Sequence, residues 1–172
     1  MNESGKPHPL VSLARKAIAS HLSGGLTPEP DLLDNPGEPA GAFVSLKISG
    51  KLRGCIGTIE PVRSSLFQEV VDNAVSAAIR DPRFQPLMSE ELDELTISVD
   101  VLGTLEAVSG PDELDPSRYG VIVKCGRRKG VLLPDLPGVT TPEDQLRIAR
   151  QKAGIGEDEA VELLRFEVKR YT

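Results

Sequence analysis

The chain has 172 residues, 39% of them hydrophobic and 16 of them glycine, a globular composition at a length that suits one domain with a real core. Its 20 basic and 26 acidic residues give a formal net charge of −6, which opposes a general electrostatic grip on nucleic acid or on an anionic membrane. No apolar run approaches the roughly 18 residues of a membrane helix, Met1 leads into Asn2-Glu3-Ser4-Gly5 rather than a basic and then apolar leader, and Cys55, Cys125, His8 and His21 fit no paired metal-ligand spacing. The expectation is a soluble, cytoplasmic protein with no metal or other cofactor, and with too few aromatics to build a base-stacking platform.

Leu10, Leu13, Ala14, Ala17, Ile18 and His21 recur at helical spacing, with Gly24-Gly25 where a C-terminal cap belongs, while His8 falls in a tail. The proline-rich stretch 26–40, with Pro28, Pro30, Pro36 and Pro39, reads as an ordered surface loop or linker, long enough to lie over a cleft but not assigned that role. Ala42, Val44, Leu46 and Ile48 then alternate with polar or outward positions, Ser49-Gly50 turns the chain, and Leu52–Ile59 supplies a second strand. Ser65 with Gln68 forms a capping-box pattern ahead of a helix whose apolar face runs from Leu66 to Ala78, and Asp81-Pro82 ends it. A turn at Ser89–Leu92 precedes a third strand, in which Leu95, Ile97, Val99 and Val101 alternate with Thr96, Ser98 and Asp100.

The second half repeats this order. Tyr119–Val123 and Val131–Leu133 read as strands about a turn at Gly126, Thr141 and Pro142 open a helix closed by Gly154, and Leu164, Phe166 and Val168 mark a last strand. Gly50 and Gly126 lie 76 positions apart, and the same offset pairs Lys51 with Arg127, Arg53 with Lys129, Gly54 with Gly130 and Pro61 with Pro137. An internal duplication follows as an expectation, within an α+β fold built on a curved, largely antiparallel sheet.

The candidate chemistry sits at Leu52-Arg53-Gly54-Cys55-Ile56-Gly57. Strand alternation would turn Leu52, Gly54 and Ile56 to the core and Arg53, Cys55 and Gly57 to the other face, where the Arg53 charge would favour a thiolate and the glycines would admit a ligand or another backbone. The plainer reading makes Cys55 a small buried hydrophobe and the glycines marks of bulges. A Cys-His catalytic pair lacks a well-placed histidine, and although Glu60, Asp81 and Asp100 are available carboxylates, no general base is assigned. In Asp81-Pro82-Arg83-Phe84, Asp81 either pairs with Arg83 while Phe84 plugs the core, or Arg83 joins Arg53 in holding a small anion. Lys124, Arg127, Arg128 and Lys129 crowd one hairpin tip, either as a solvated turn or as a contact for RNA or an acidic partner.

The hexapeptide 52–57, continuing as Thr58-Ile59-Glu60-Pro61, closely resembles the signature of the AMMECR1 family. The likeness extends through 81–87, 94–102, 119–123, Leu132-Leu133-Pro134 and Lys152-Ala153-Gly154. It implies a single domain over 1–172, with pseudo-repeats at roughly 40–108 and 117–172 around one barrel-like sheet. It also implies a pathway shared with a Memo-like protein, related to extradiol dioxygenases, and a radical SAM protein. The expected site comprises Cys55 and Arg53 as catalytic residues, with Gly54, Gly57, Thr58, Asp81 and Arg83 binding a small anionic ligand. Three functions follow in order: a pathway component using Cys55 chemically, a non-catalytic scaffold for the two partners, and, against the net acidity, an RNA-binding protein.

Overall fold

Proline at the first helical position costs no hydrogen bond, and His8 Nδ1 accepts the Leu10 N–H at 3.3 Å, so helix α1 starts cleanly at Pro9 and runs to Leu22. This computed structural model describes residues 6–26 and 37–172, so most of the expected proline-rich loop or linker, residues 27–36, lies outside the described residues. His8 is not a loose tail residue: its ring stacks on Tyr171 at 4.0 Å, and its N–H donates to the Thr172 carbonyl.

The chain divides into two compact units, one reaching Val101 and including Lys169–Thr172, the other Leu102–Val168. In the first, β1 (Ala42–Ile48) pairs antiparallel with both β2 (Lys51–Gly57) and β3 (Leu95–Leu102). The β1–β2 turn uses Ser49 and Gly50, both at positive φ, which matches the twist of the flanking strands. Helix α2 (Leu66–Ile79) starts where Ser65 Oγ accepts the Gln68 N–H. The expected reciprocal half of that cap is replaced, because the Gln68 side chain accepts from Ser64 instead. Val70, Ala74 and Ala77 of α2 join Val44, Leu46 and Val99 from the strands and Ala14 and Ile18 of α1 in one core. Leu87, rather than the expected Phe84, plugs that core at its lower edge: it is 3% exposed, whereas Phe84 stays half-buried beneath Arg83. The expected turn at 89–92 is a 3-10 helix, Ser89–Glu94, tied to α1 by Arg15, which donates to the carbonyls of Leu92 and Leu95.

The second unit opens on a short strand instead of a helix and then runs strand, strand, helix, strand. Strand β4 (Glu106–Val108), too short to show in the sequence pattern, pairs with β7 (Glu162–Tyr171); β5 (Tyr119–Cys125) lies between β7 and β6 (Arg128–Leu132). Helix α3 (Pro142–Ala153) is capped by Thr141 and closed by Gly154 in the left-handed conformation, as the sequence pattern indicates. Its Ala149 packs with Val121, Val123 and Leu132 in a second core. The fold class is α+β, with antiparallel sheet and flanking helices.

Candidate functional site

Strand β2 does not keep simple alternation. Leu46 faces Gly54 and Lys47 faces Leu52, which leaves Arg53 as the extra residue of a β-bulge. The bulge resets the parity, so Leu52, expected in the core, is 41% exposed, while Ile56 still packs against the core as expected. Beyond the bulge, Thr58 N–H donates to Ala42 C=O at 3.0 Å, which fixes Phe43/Gly57 and Ser45/Cys55 as non-hydrogen-bonded pairs. Two consequences follow for Cys55. Its side chain lies close to that of Ser45, with Sγ and Oγ 3.2 Å apart, and its backbone N–H and C=O point away from β1.

Both outward groups are taken by the segment after α2. The Cys55 N–H donates to Asp81 Oδ2 at 2.9 Å, and Arg83 Nη2 donates to the Cys55 carbonyl at 3.2 Å. Asp81 and Arg83 are themselves joined twice, Nε to Oδ1 at 2.9 Å and Nη2 to Oδ2 at 2.7 Å. One carboxylate and one guanidinium thus imitate the acceptor and donor of a neighbouring strand and close the sheet edge at Cys55. The Arg83 hydrogen bonds hold the buried Asp81 carboxyl well below the usual carboxylate range, overriding the opposing effect of burial, and Asp81 in turn raises the Arg83 guanidinium.

Arg53 is directed elsewhere. Its Nε and Nη2 donate to the two oxygens of Glu91 at 2.8 and 3.0 Å, and its Nη1 donates to Gln85 C=O at 2.9 Å. Arg53, with the Met88 N–H as a second donor, lowers the Glu91 carboxyl. The cation hydrogen-bonded to Cys55 is therefore Arg83, and both arginines expected to grip an anion are bound to carboxylates of the same unit.

The glycines are accounted for by packing. A Cβ on Gly54 would stand 2.1 Å from the Ala77 carbonyl oxygen of α2, and one on Gly57 would stand 2.2 Å from the Phe43 ring. What approaches the strand closely at these positions is the protein's own helix and ring. Thr58 donates to Glu69 and accepts from Asn73 Nδ2 at 3.2 Å, while Glu69 Oε2 accepts the Val62 and Arg63 N–H groups at 2.9 Å. Glu69 is 1% exposed and fully partnered, so it anchors the loop that follows β2.

Glu69, Asn73, Ser45 and Glu91 were not among the residues expected from the sequence. Glu69 and Asn73 stand four apart beside the apolar face of α2, a spacing that marks buried polar positions on one helix side; Ser45 and Glu91 carry no such mark. Of the other expected carboxylates, Asp100 is buried and paired with Arg170 at 2.7 and 3.0 Å, and Glu60 is exposed. In the second unit, Arg128 leaves the basic tip to bind Glu159, which it pushes down to about 2, and its Nη2 donates to Cys125 Sγ at 3.5 Å. Among the described residues, no three or more histidine, cysteine or acidic side chains are grouped to hold a metal ion, and no helix is long and apolar enough to cross a membrane.

The AMMECR1 family model matches residues 11–172. The chain belongs to the AMMECR1 family. A Thermotoga maritima relative is 50% identical over 170 residues, which cover 95% of this chain and 97% of the relative. A Clostridium acetobutylicum relative is 45% identical over 95% of this chain, yet the match spans only 36% of that longer protein. The crystal structure of an uncharacterized protein from Pyrococcus horikoshii superposes with a TM-score of 0.85 at 34% identity, covering 94% of this chain and 88% of that one.

Proposed function

We propose that this protein is a cytoplasmic component of a multi-protein pathway and that its signature hairpin is a rigid contact face for a partner, with the Memo-like and radical SAM proteins as the candidates the family resemblance supplies. The observation that carries this reading is how the fold uses the motif. Gly54 seats α2, Gly57 seats Phe43, Asp81 and Arg83 close the edge at Cys55, and Arg53 holds Glu91. The large apolar side chains flanking that Arg53–Glu91 pair remain in solvent: Leu52 beside Arg53 at 41% exposure, and Met88, whose N–H is held by Glu91, at 64%. Exposed apolar side chains on a scaffold braced by ion pairs suit macromolecular contact better than capture of a small anion. The Clostridium relative, in which the matched region is about a third of a longer chain, fits a module that works beside another domain.

A photo-crosslinker placed at Leu52 or Met88 tests this in a mixture with the Memo-like and radical SAM proteins of the same organism. Crosslinks to one of them, lost in Leu52→Glu with Met88→Glu, are expected. Their absence from both positions refutes the docking face. Thiol chemistry stands as the second reading because Cys55 is only half-buried and its Sγ has a hydroxyl 3.2 Å away. It requires Cys55 to react with an alkylating agent in a Cys125→Ser background, and pathway function to fail in Cys55→Ala. The same offset that pairs Gly54 with Gly130 also pairs the helix caps Ser65 and Thr141, and supports an internal duplication as the origin of the two units.

A further inference from the structure

The two sheet edges are finished differently. In the first unit both outward backbone groups of Cys55 are taken, by Asp81 and Arg83. The corresponding edge residue, 76 positions on, is Val131 of β6. The β5–β6 hairpin closes through the pair Cys125/Arg128 across a two-residue turn, so Lys129 and Val131 sit at non-hydrogen-bonded positions and aim their N–H and C=O groups away from β5. The geometry agrees, because Lys152 Nζ donates to the Val131 carbonyl at 3.0 Å from outside the ladder. That cation takes the place of Arg83. The residue in the place of Asp81 is Glu157, which is exposed, and among the described residues no carboxylate accepts the Val131 N–H.

β6 ends the strand order, and this half-closed edge is lined by positive charge. Arg127, Lys129 and Lys152 are exposed around it. Of the nearby acidic groups, Glu159 is committed to Arg128 and to the Gly156 N–H, and Glu162 stands opposite Lys124 in the β5–β7 register, so the cations of β6 itself face the outer edge. We propose that the β6 edge is a second docking site, which accepts an extended acidic segment of a partner protein as an added strand. Main-chain carbonyls of that segment accept from the Lys129 and Val131 N–H groups, and its carboxylates meet Lys129, Arg127 and Lys152. A polypeptide is favoured over RNA because the outward N–H groups are spaced along a strand, and no exposed aromatic at the tip offers a base a stacking surface.

The test titrates the full chain with a short labelled peptide of alternating glutamate and valine, with its lysine-valine counterpart, and with single-stranded polyuridylate. Saturable binding of the acidic peptide alone is expected, with protection of the Lys129 and Val131 amides from hydrogen exchange. Lys129→Glu with Lys152→Glu should weaken it roughly tenfold or more, as loss of two complementary charges implies. Val131→Pro removes one outward N–H at an edge position that tolerates proline, and should also abolish binding. If that variant fails to fold, the amide protection in the unaltered chain decides the strand geometry. Binding of polyuridylate in preference to the acidic peptide, self-association through β6 that excludes the peptide, or peptide binding without amide protection overturns the proposal.

Discussion

Replacing Gly54 by alanine tests whether the signature glycine serves a ligand or the fold. The new Cβ would lie 2.1 Å from the Ala77 carbonyl oxygen, against a floor of about 3.0 Å for such contacts, so strand and helix must part by about 1 Å. The obstacle is main chain, and α2 has no slack to retreat: Val70, Ala74 and Ala77 on the same helix are 0–1% exposed, and a retreat would open a void along the core. Overpacking of this kind costs about 1–3 kcal/mol, and the entropy that alanine removes from the unfolded chain returns only about 0.4–1 kcal/mol. Net destabilisation wins, and for a chain of this size each kcal/mol lowers Tm by roughly 2–4 °C. Gly110→Ala is the control, since its backbone is extended and nothing lies within 4 Å of the added carbon. Thermal unfolding by circular dichroism should show a loss of several degrees for Gly54→Ala and none for Gly110→Ala. An unchanged Tm for Gly54→Ala would refute the helix-seat account and return that glycine to ligand binding.

Gly130→Ala in the second unit meets the Ala149 carbonyl oxygen at 1.8 Å and should lower Tm at least as far, measured in the same way. Asp81→Ala leaves the Cys55 N–H and the Arg83 guanidinium without their acceptor, and should cost roughly 1.5–3 kcal/mol in urea unfolding, the range for hydrogen bonds to a charged group, while speeding amide exchange at Cys55. Because the Asp81 carboxyl is lowered from its ordinary value of 3.8, its contribution is complete above that pH and is lost only as pH falls through the folded value; in Asp81→Ala this strongly acidic component of the pH-stability curve should vanish. His8 is lowered from 6.5 by burial and then by Lys169, so its neutral, helix-capping form supplies stability that is present above 6.5 and lost as pH falls through the lowered value. His8→Asn keeps a capping acceptor that does not titrate there, and should flatten the pH dependence of Tm in that window.

Strands and helices that bury one face were legible because their periodicity is a direct print of burial: Val44 and Leu46, Ile97 and Val99, and the α2 face from Phe67 to Ala78 all sit where alternation or helical spacing put them. The site was less legible because its geometry turns on events without a periodic mark. The bulge at Arg53 moves Leu52 into solvent, and nothing in a single strand's sequence announces which residue its partner strand will skip. Arg53 finds Glu91 and Cys55 finds Ser45 only through tertiary pairing. The cation next to the thiol in sequence is tied to Glu91, and the one that hydrogen-bonds the Cys55 backbone comes from 28 residues further along the chain, a pairing no local spacing encodes.

Seen together, the two units separate what a hairpin under a helix must have from what it is free to present. Each needs a glycine beneath the helix backbone, Gly54 under Ala77 and Gly130 under Ala149, and each ties its helix to the first strand of its hairpin by a buried amide, Asn73 to the Ala42 carbonyl at 3.0 Å and Gln145 to the Tyr119 carbonyl at 2.7 Å. Such residues are fixed by packing, so their presence in a motif does not by itself mark chemistry. The differences carry the functional argument. At Cys55 the edge is sealed by a carboxylate and a guanidinium, which rules out strand addition there and leaves only side chains to be recognised. At Val131 only the carbonyl is held, by Lys152, and the N–H side faces outward among cations. One scaffold built in this way offers a side-chain face in its first unit and a main-chain edge in its second, and partners of different chemistry would be told apart by which of the two they can use.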